Sequence, residues 1–174
     1  MLKYLALAAL AALTSSATIG CGYGGFNTLY GNDNALFNSN GNSVYGNTNF
    51  LKESNGNFLQ GSDNKFLGSN GNINFGNSNL MVGSNGNTNV GNGNGFFGNC
   101  NQNFGNGNYF DTSHYNTNVG NGNAFLGSNG NTNFGDGNKY LNSNGNFNYG
   151  NANTYSNTNG NTVFGRGNLI ANGC

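Results

Sequence analysis

Charge is scarce in this chain. Five Lys/Arg and five Asp/Glu among 174 residues balance to zero, and they are scattered rather than clustered. Without a basic stripe to neutralise phosphates, nucleic-acid binding is not expected. Histidine occurs once, at His114, and a single imidazole does not make a catalytic triad. Hydrolysis by two carboxylates needs an acidic pair, and Asp33, Asp63 and Asp136 read instead as solvated turn residues. Calcium-binding Gly/Asp repeats need an aspartate in every copy, where this chain mostly carries asparagine, so neither a metal nor a cofactor is expected. Gly93-Asn94-Gly95-Phe96-Phe97-Gly98 matches a dinucleotide-binding fingerprint but has no helix or βαβ unit around it. The expectation is a protein that is not an enzyme.

Long apolar runs are also missing, apart from Tyr4–Leu13, which follows Lys3 and is too short to cross a bilayer. With the small residues up to Ala17, it reads as a secretory signal peptide over residues 1–20, cleaved after Ala17 or Gly20. The mature chain is then extracellular and has no membrane span, with a short overhang at 21–25. A second reading of Thr18-Ile19-Gly20-Cys21 as a lipoprotein cleavage site would leave Cys21 acylated.

Proline and tryptophan are absent, large aliphatics are few, and Asn and Gly dominate the rest. Composition alone would suggest disorder. Position argues otherwise. Glycine recurs at Gly31, Gly46, Gly61, Gly76, Gly91, Gly105, Gly120, Gly135, Gly150 and Gly165, every 15 residues with one single-residue slip in Gly91–Phe104. The slip reads as the loss of the second glycine between Cys100 and Asn101. A fixed short period is the signature of a solenoid, in which each coil buries its apolar side chains only against its neighbours. The fold expected for 26–174 is therefore all-β, a single parallel β-solenoid of about ten coils, roughly 48 Å long at about 4.8 Å per rung.

Numbering the repeat 1–15 from each glycine, position 6 holds Leu36, Leu51, Phe66, Met81, Phe96, Phe110, Phe125, Tyr140, Tyr155 and Ile170. All are apolar or aromatic, so this column should form the core. Position 4 is Asn34, Asn49, Asn64, Asn79, Asn94, Asn108, Asn123, Asn138, Asn153 and Asn168, which strand alternation places on the same side. Stacked identical asparagines can pass amide hydrogen bonds from coil to coil. The second strand is ambiguous. Position 15 is mostly aromatic or Val, whereas position 14 is Val44, Leu59 and Val163 with six asparagines between. A one-residue register shift exchanges their faces, and burial of the more apolar position 15 is favoured on transfer grounds. Glycines at positions 1, 8 and 11 supply corners with positive φ.

Asn42-Ser43-Val44-Tyr45-Gly46 and Asn161-Thr162-Val163-Phe164-Gly165 show N-x-V-x-G, with looser copies such as Asn79-Leu80-Met81-Val82-Gly83 and Asn123-Ala124-Phe125-Leu126-Gly127. Two such motifs per coil resemble the grass antifreeze and ice-recrystallisation-inhibition proteins, and the similarity covers Phe26 to the C-terminus. The resemblance implies a β-solenoid with Asn ladders and ice binding through a flat hydroxyl face. Here that face would be the position-13 residues Ser43, Thr88, Thr117, Thr132 and Thr162, a column interrupted by Phe58, Ile73, Gln102 and Phe147.

Phe26 and Cys174 are ten coils apart in phase, and Leu169-Ile170-Ala171-Asn172 continues the pattern without a capping element. An uncovered edge facing a compatible edge makes a head-to-tail contact that grows into a filament. Cys21 and Cys174 fall at opposite ends, too far apart for an internal disulfide, so they are candidates for an intermolecular one. Cys100 reads as a structural or surface thiol. Two functions are expected from these features: a secreted structural protein whose partner is itself, and an ice-binding protein.

Overall fold

The structure, a computed structural model, describes residues 18–19 and 26–172. Most of the expected signal peptide, the overhang at 21–25, Cys21 and Cys174 lie outside the described residues. The fold is a parallel β-solenoid, without helices among the described residues, in which short strands, three residues long from β2 onward, alternate between two sheets. Sheet 1 begins with β1 (Thr18–Ile19), β3 (Ala35–Phe37) and β5 (Phe50–Lys52) and continues through every odd strand to β21 (Leu169–Ala171). Sheet 2 runs from β2 (Thr28–Tyr30) and β4 (Ser43–Tyr45) through every even strand to β20 (Thr162–Phe164). All strand pairs are parallel, and identical repeat positions face one another, as in Phe110↔Phe125 and Asn118↔Asn133.

Each strand is short because left-handed corners end it on both sides, mostly glycine around sheet 2 and often not glycine around sheet 1, as at Asn38, Glu53 and Asn142. At position 1 the backbone takes φ between 120° and 156°, a region closed to side chains, and a Cβ on Gly46 would sit 2.0 Å from the Gly61 carbonyl oxygen. Close stacking of one coil on the next is what demands glycine there. Position 3 is a further corner that the repeat pattern did not reveal. It is left-handed too, but it tolerates Asp33, Thr48, Ser78 and Ala152 because a side chain there meets open space, as at Gly122.

Alternation along β3 and its successors turns the middle residue inward, so Leu36, Leu51, Phe66, Met81, Phe96, Phe110, Phe125, Tyr140 and Tyr155 form the buried column, with Ile170 partly buried against it. From Phe96 to Tyr155 the rings stack at 4.6–4.9 Å between centroids and within 5° of parallel. Rung spacing imposes this face-to-face arrangement.

The second strand reverses the favoured expectation. Position 14 is the buried one, with Val44, Leu59, Asn74, Asn89, Asn103, Asn118, Asn133 and Asn148 all fully enclosed, while Phe75, Phe104, Phe134 and their column face outward. Two physical reasons combine. Room beside a ring is limited: Leu36 and Leu51 are opposed by Val44 and Leu59, Phe66, Phe96, Phe110, Phe125 and Tyr140 are opposed by asparagine, and Tyr155 is the exception, opposed by Val163, which is only partly buried. The asparagines are also fully paired: from Asn89 to Asn148 each Nδ2 donates to the Oδ1 below it, as in Asn118 to Asn103 (2.8 Å) and Asn133 to Asn118 (2.7 Å), and Asn74, with Leu59 below it, donates to Gly76 O (3.3 Å). A satisfied amide carries no desolvation penalty that a second aromatic column would need to relieve.

The slip also sits elsewhere than the sequence suggested. The residue missing from this coil is at the first corner, after β11 (Gly95–Phe97), not between Cys100 and Asn101. Gly98 takes the serine position: its carbonyl receives Asn87 Nδ2 at 2.8 Å, as Ser84 O receives Asn72 Nδ2 at 2.7 Å. Cys100 then occupies the turn position held by Gly86 one coil earlier, with φ of 56° and its N–H on Asn85 O. Gly98 must be glycine because a Cβ would lie 2.1 Å from Ser113 O.

Candidate functional site

Three asparagine columns fill the interior. In the position-4 column the repeating unit is a bridge over three coils: Asn64 donates its backbone N–H and its Nδ2 to Asn49 Oδ1 (both 3.0 Å), and the same Nδ2 donates to Gly76 O in the next coil (2.9 Å). Asn34 through Asn153 are buried, and Asn168 at the last coil is exposed. Asn94 and Asn153 depart from the pattern by turning Nδ2 to the position-14 residues Asn89 and Asn148. Position 12, from Asn42 to Asn146, forms a second buried column whose Nδ2 atoms also hold serine carbonyls, as in Asn57 to Ser69 O at 2.7 Å. Position 14 forms the third. Among the described residues no buried side-chain nitrogen or oxygen is left without a partner. Tyr140 and Tyr155 join this network, their hydroxyls donating to Asn133 Oδ1 (3.0 Å) and Asn148 Oδ1 (2.9 Å). Burial drives the Tyr140 phenol far above its usual range and pushes the Tyr155 phenol up to about 12.

Two further ladders run along exposed corners, at positions 2 and 10. His114 belongs to the second. Its Nδ1 accepts the Asn99 N–H at 3.0 Å, where every other coil offers an asparagine Oδ1, and its own N–H goes to Asn129 Oδ1 at 2.8 Å. The lone imidazole is thus a rung of a ladder. Asp136 is likewise a rung, accepting Asn121 N–H at 2.6 Å. No group of three or more potential metal ligands occurs among the described residues.

With the interior made of ladders and one apolar column, the continuous outward surfaces are the two sheet faces, with Glu53, Cys100, Tyr115 and Arg166 set singly at the corners. Sheet 1 carries Lys52, Lys65, Asp111 and Lys139 on its outer face, Lys65 lying over the Phe50 ring at 5.9 Å. Sheet 2 differs sharply. Its outer face consists of positions 13 and 15, from Thr28 and Tyr30 to Thr162 and Phe164, and no residue in those two columns is charged. Position 15 leaves Phe75, Val90, Phe104, Val119 and Phe134 about 40% exposed, with Tyr149 at 62% and Phe164 at 71%. Val119, Phe134, Tyr149, Phe164 and Arg166 line a shallow open groove of about 580 Å³ along the edge of this face.

Ser43, Thr88, Thr117, Thr132 and Thr162 lie in one outward line on this face, flush with the aromatic column. The structure therefore brings the candidate ice-contact hydroxyls and the rings of position 15 together. Strand alternation keeps positions 13 and 15 on one face in either register, so turning position 15 inward would have buried both columns. The interrupting Phe58 and Phe147 pack against the rings, Phe58 at 5.7 Å from Tyr45 and 5.5 Å from Phe75.

The last coil ends the ladders with open acceptors. Asn161 and Asn168 donate backward to Asn146 and Asn153 Oδ1, and among the described residues nothing donates to their own Oδ1 atoms. At the other end Asn27 and Asn34 accept from Asn42 and Asn49 and their Nδ2 atoms donate to Ser39 O and Gly46 O, while among the described residues nothing receives their backbone N–H groups. β1 lies at this end of sheet 1, pairing Thr18↔Ala35 and Ile19↔Leu36, a spacing of 17 residues instead of 15. A cut after Ala17 keeps this strand, and a cut after Gly20 removes it. Cys100 is a free, exposed thiol. No helix among the described residues is long and apolar enough to cross a membrane.

The chain matches no family model and no curated protein. The reading of function therefore rests on these surfaces.

Proposed function

We propose that the chain is a non-enzymatic, secreted structural protein whose rods join end to end into extracellular β-solenoid fibres. The observation that carries this reading is the match between its end coils. Asn161 and Asn27 share repeat position 12, and Asn168 and Asn34 share position 4. Seating the first coil of one molecule on the last coil of another would give Asn161 and Asn168 Oδ1 the donors that every interior ladder asparagine receives. The heterologous contact does not close, so it propagates. β1 occupies the sheet 1 edge of the first coil, so joining through both sheets requires it to leave; a mature chain beginning at Cys21 lacks it. Cys21 and Cys174, brought together at each junction, would lock the joint by a disulfide.

The test is growth kinetics of the chain beginning at Cys21, followed by light scattering in oxidising buffer. Growth should slow by about tenfold or more in an Asn161→Leu/Asn168→Leu variant, which removes both terminal acceptors. A protein that stays monomeric at high concentration would end this reading.

Ice binding is a second reading, supported by the in-register column that carries Ser43, Thr88, Thr117, Thr132 and Thr162 on the outer face of sheet 2, and by the resemblance in the repeat motif. It predicts ice shaping or recrystallisation inhibition by isolated rods, and loss of both on converting Thr117 and Thr132 to lysine.

A further inference from the structure

The outer face of sheet 2 is the least explained surface of the molecule. Parallel sheets are normally covered on both faces, and this one presents ten rungs of uncharged, largely aromatic side chains to solvent. We propose that this face is the interface of a laterally paired dimer, in which a second copy of the chain lays its own sheet 2 face to face on the first.

Three observations select a second copy over other occupants. The first is size. Ten rungs at about 4.8 Å, each about 10 Å wide, give a projected area of about 480 Å². The accessible surface of such a corrugated face is larger than its projection, which brings it toward the roughly 800 Å² per partner of a stable protein interface. The second is ring orientation. Flat sugar rings stack on free-standing aromatic platforms, but here the rings pack on one another along the rod. Tyr30 stacks on Tyr45 at 5.0 Å and 10°, and Phe134 lies tilted at 6.4 Å from Tyr149 and 6.0 Å from Phe147, at 38° and 51°. Held by their neighbours, the rings form a continuous ridge that can interdigitate with another such ridge at a sheet spacing of about 10 Å. The third is commensurability. Any copy has the same rung spacing, so two faces stay matched along their whole length, and neither column brings a charge to be desolvated, Arg166 standing at the edge of the face. Sheet 1, with Lys52, Lys65, Asp111 and Lys139 on its face, lacks this property.

Pairing and end-to-end joining are independent, since one sets width and the other length. The test uses the full mature chain carrying Gln60→Glu and Gln102→Glu, near-isosteric changes at two exposed positions of the face. Sedimentation equilibrium should give a wild-type dimer. The variant should have an unchanged circular dichroism spectrum and a dissociation constant raised at least 100-fold at pH 7, recovering near pH 3.5 as the new carboxyls protonate. Thr154→Glu on sheet 1 should leave the dimer intact, and if wild type fibrillates, paired rods should appear at twice the single-rod width. The proposal is overturned if the wild-type protein is a single rod in width and mass, if the double variant pairs as tightly as wild type, or if the monomer instead adsorbs to insoluble polysaccharide or ice through this face.

Discussion

Replacing Asn123 with alanine removes one rung from a buried ladder, and its cost follows from the bonds it breaks. Asn123 Nδ2 donates to Asn108 Oδ1 (3.2 Å) and Gly135 O (2.8 Å), and Asn123 Oδ1 accepts from Asn138 N–H (2.8 Å) and Nδ2 (3.2 Å). Most partners keep another bond. Gly135 O retains Asn133 Nδ2, Asn138 Nδ2 retains Gly150 O, and Asn108 Oδ1 retains the backbone N–H of residue 123. The Asn138 N–H is left buried with no acceptor. One orphaned donor at about 1–3 kcal/mol, together with lost bonds at about 0.5–1.5 kcal/mol net each, puts the destabilisation at about 3–5 kcal/mol. Asn121, in the same coil, is the control: it accepts Asn106 N–H at 2.9 Å and donates to Asp136 Oδ1 at 3.1 Å, but on an exposed corner where water substitutes. Its alanine variant should lose less than about 1 kcal/mol. Urea denaturation followed by circular dichroism gives the two midpoints, and hydrogen exchange at the Asn138 amide reports the orphaned group directly. Equal midpoints for the two variants, or continued protection of that amide in Asn123→Ala, would refute the claim that buried ladders carry the stability.

The glycine corners should divide by position. Gly120→Ala, with φ of 144° and a Cβ 2.1 Å from Gly135 O, should abolish folding of the array around it, whereas Gly122→Ala, with φ of 63° and open space, should cost about 1 kcal/mol, which thermal unfolding can rank. Because the folded-state phenol of Tyr155 is raised from 10.0 to about 12, its contribution to stability is fully present below pH 10 and is lost as pH rises through about 12. Tyr140 acts in the same direction, so the phenolate absorbance of this buried pair should appear only with unfolding. Cys100, exposed and unpaired, should react stoichiometrically with a thiol reagent in the native state, without change in circular dichroism.

Much of this architecture was legible because a repeat averages out local ambiguity. Ten glycines in register, an all-apolar position 6 and an invariant Asn34-to-Asn168 column define the coil, one core column and one ladder without reference to coordinates. The second strand was not legible by hydropathy, which ranks Phe75 or Phe104 as interior before Asn74 or Asn103. The deciding signal was available in most coils: where position 6 is Leu36 or Leu51, position 14 is Val44 or Leu59, and where it is Phe, Met or Tyr140, position 14 is Asn, with Tyr155 opposite Val163 the exception. That exchange of volume marks two positions that share one space. The slip was misplaced because the Asn-Cys-Asn sequence around Cys100 lacks the expected glycine, yet a left-handed corner accepts cysteine, while the first corner vanished and left Gly98 in a serine's place. The uncharged face of sheet 2 was hidden by the same register error.

The most direct test of end-to-end assembly is negative-stain electron microscopy of the mature protein over a range of concentrations, with and without reductant. Fibre formation predicts unbranched rods whose length grows with concentration and falls when Cys21–Cys174 junctions are reduced. Isolated rods of about 48 Å at every concentration would contradict it.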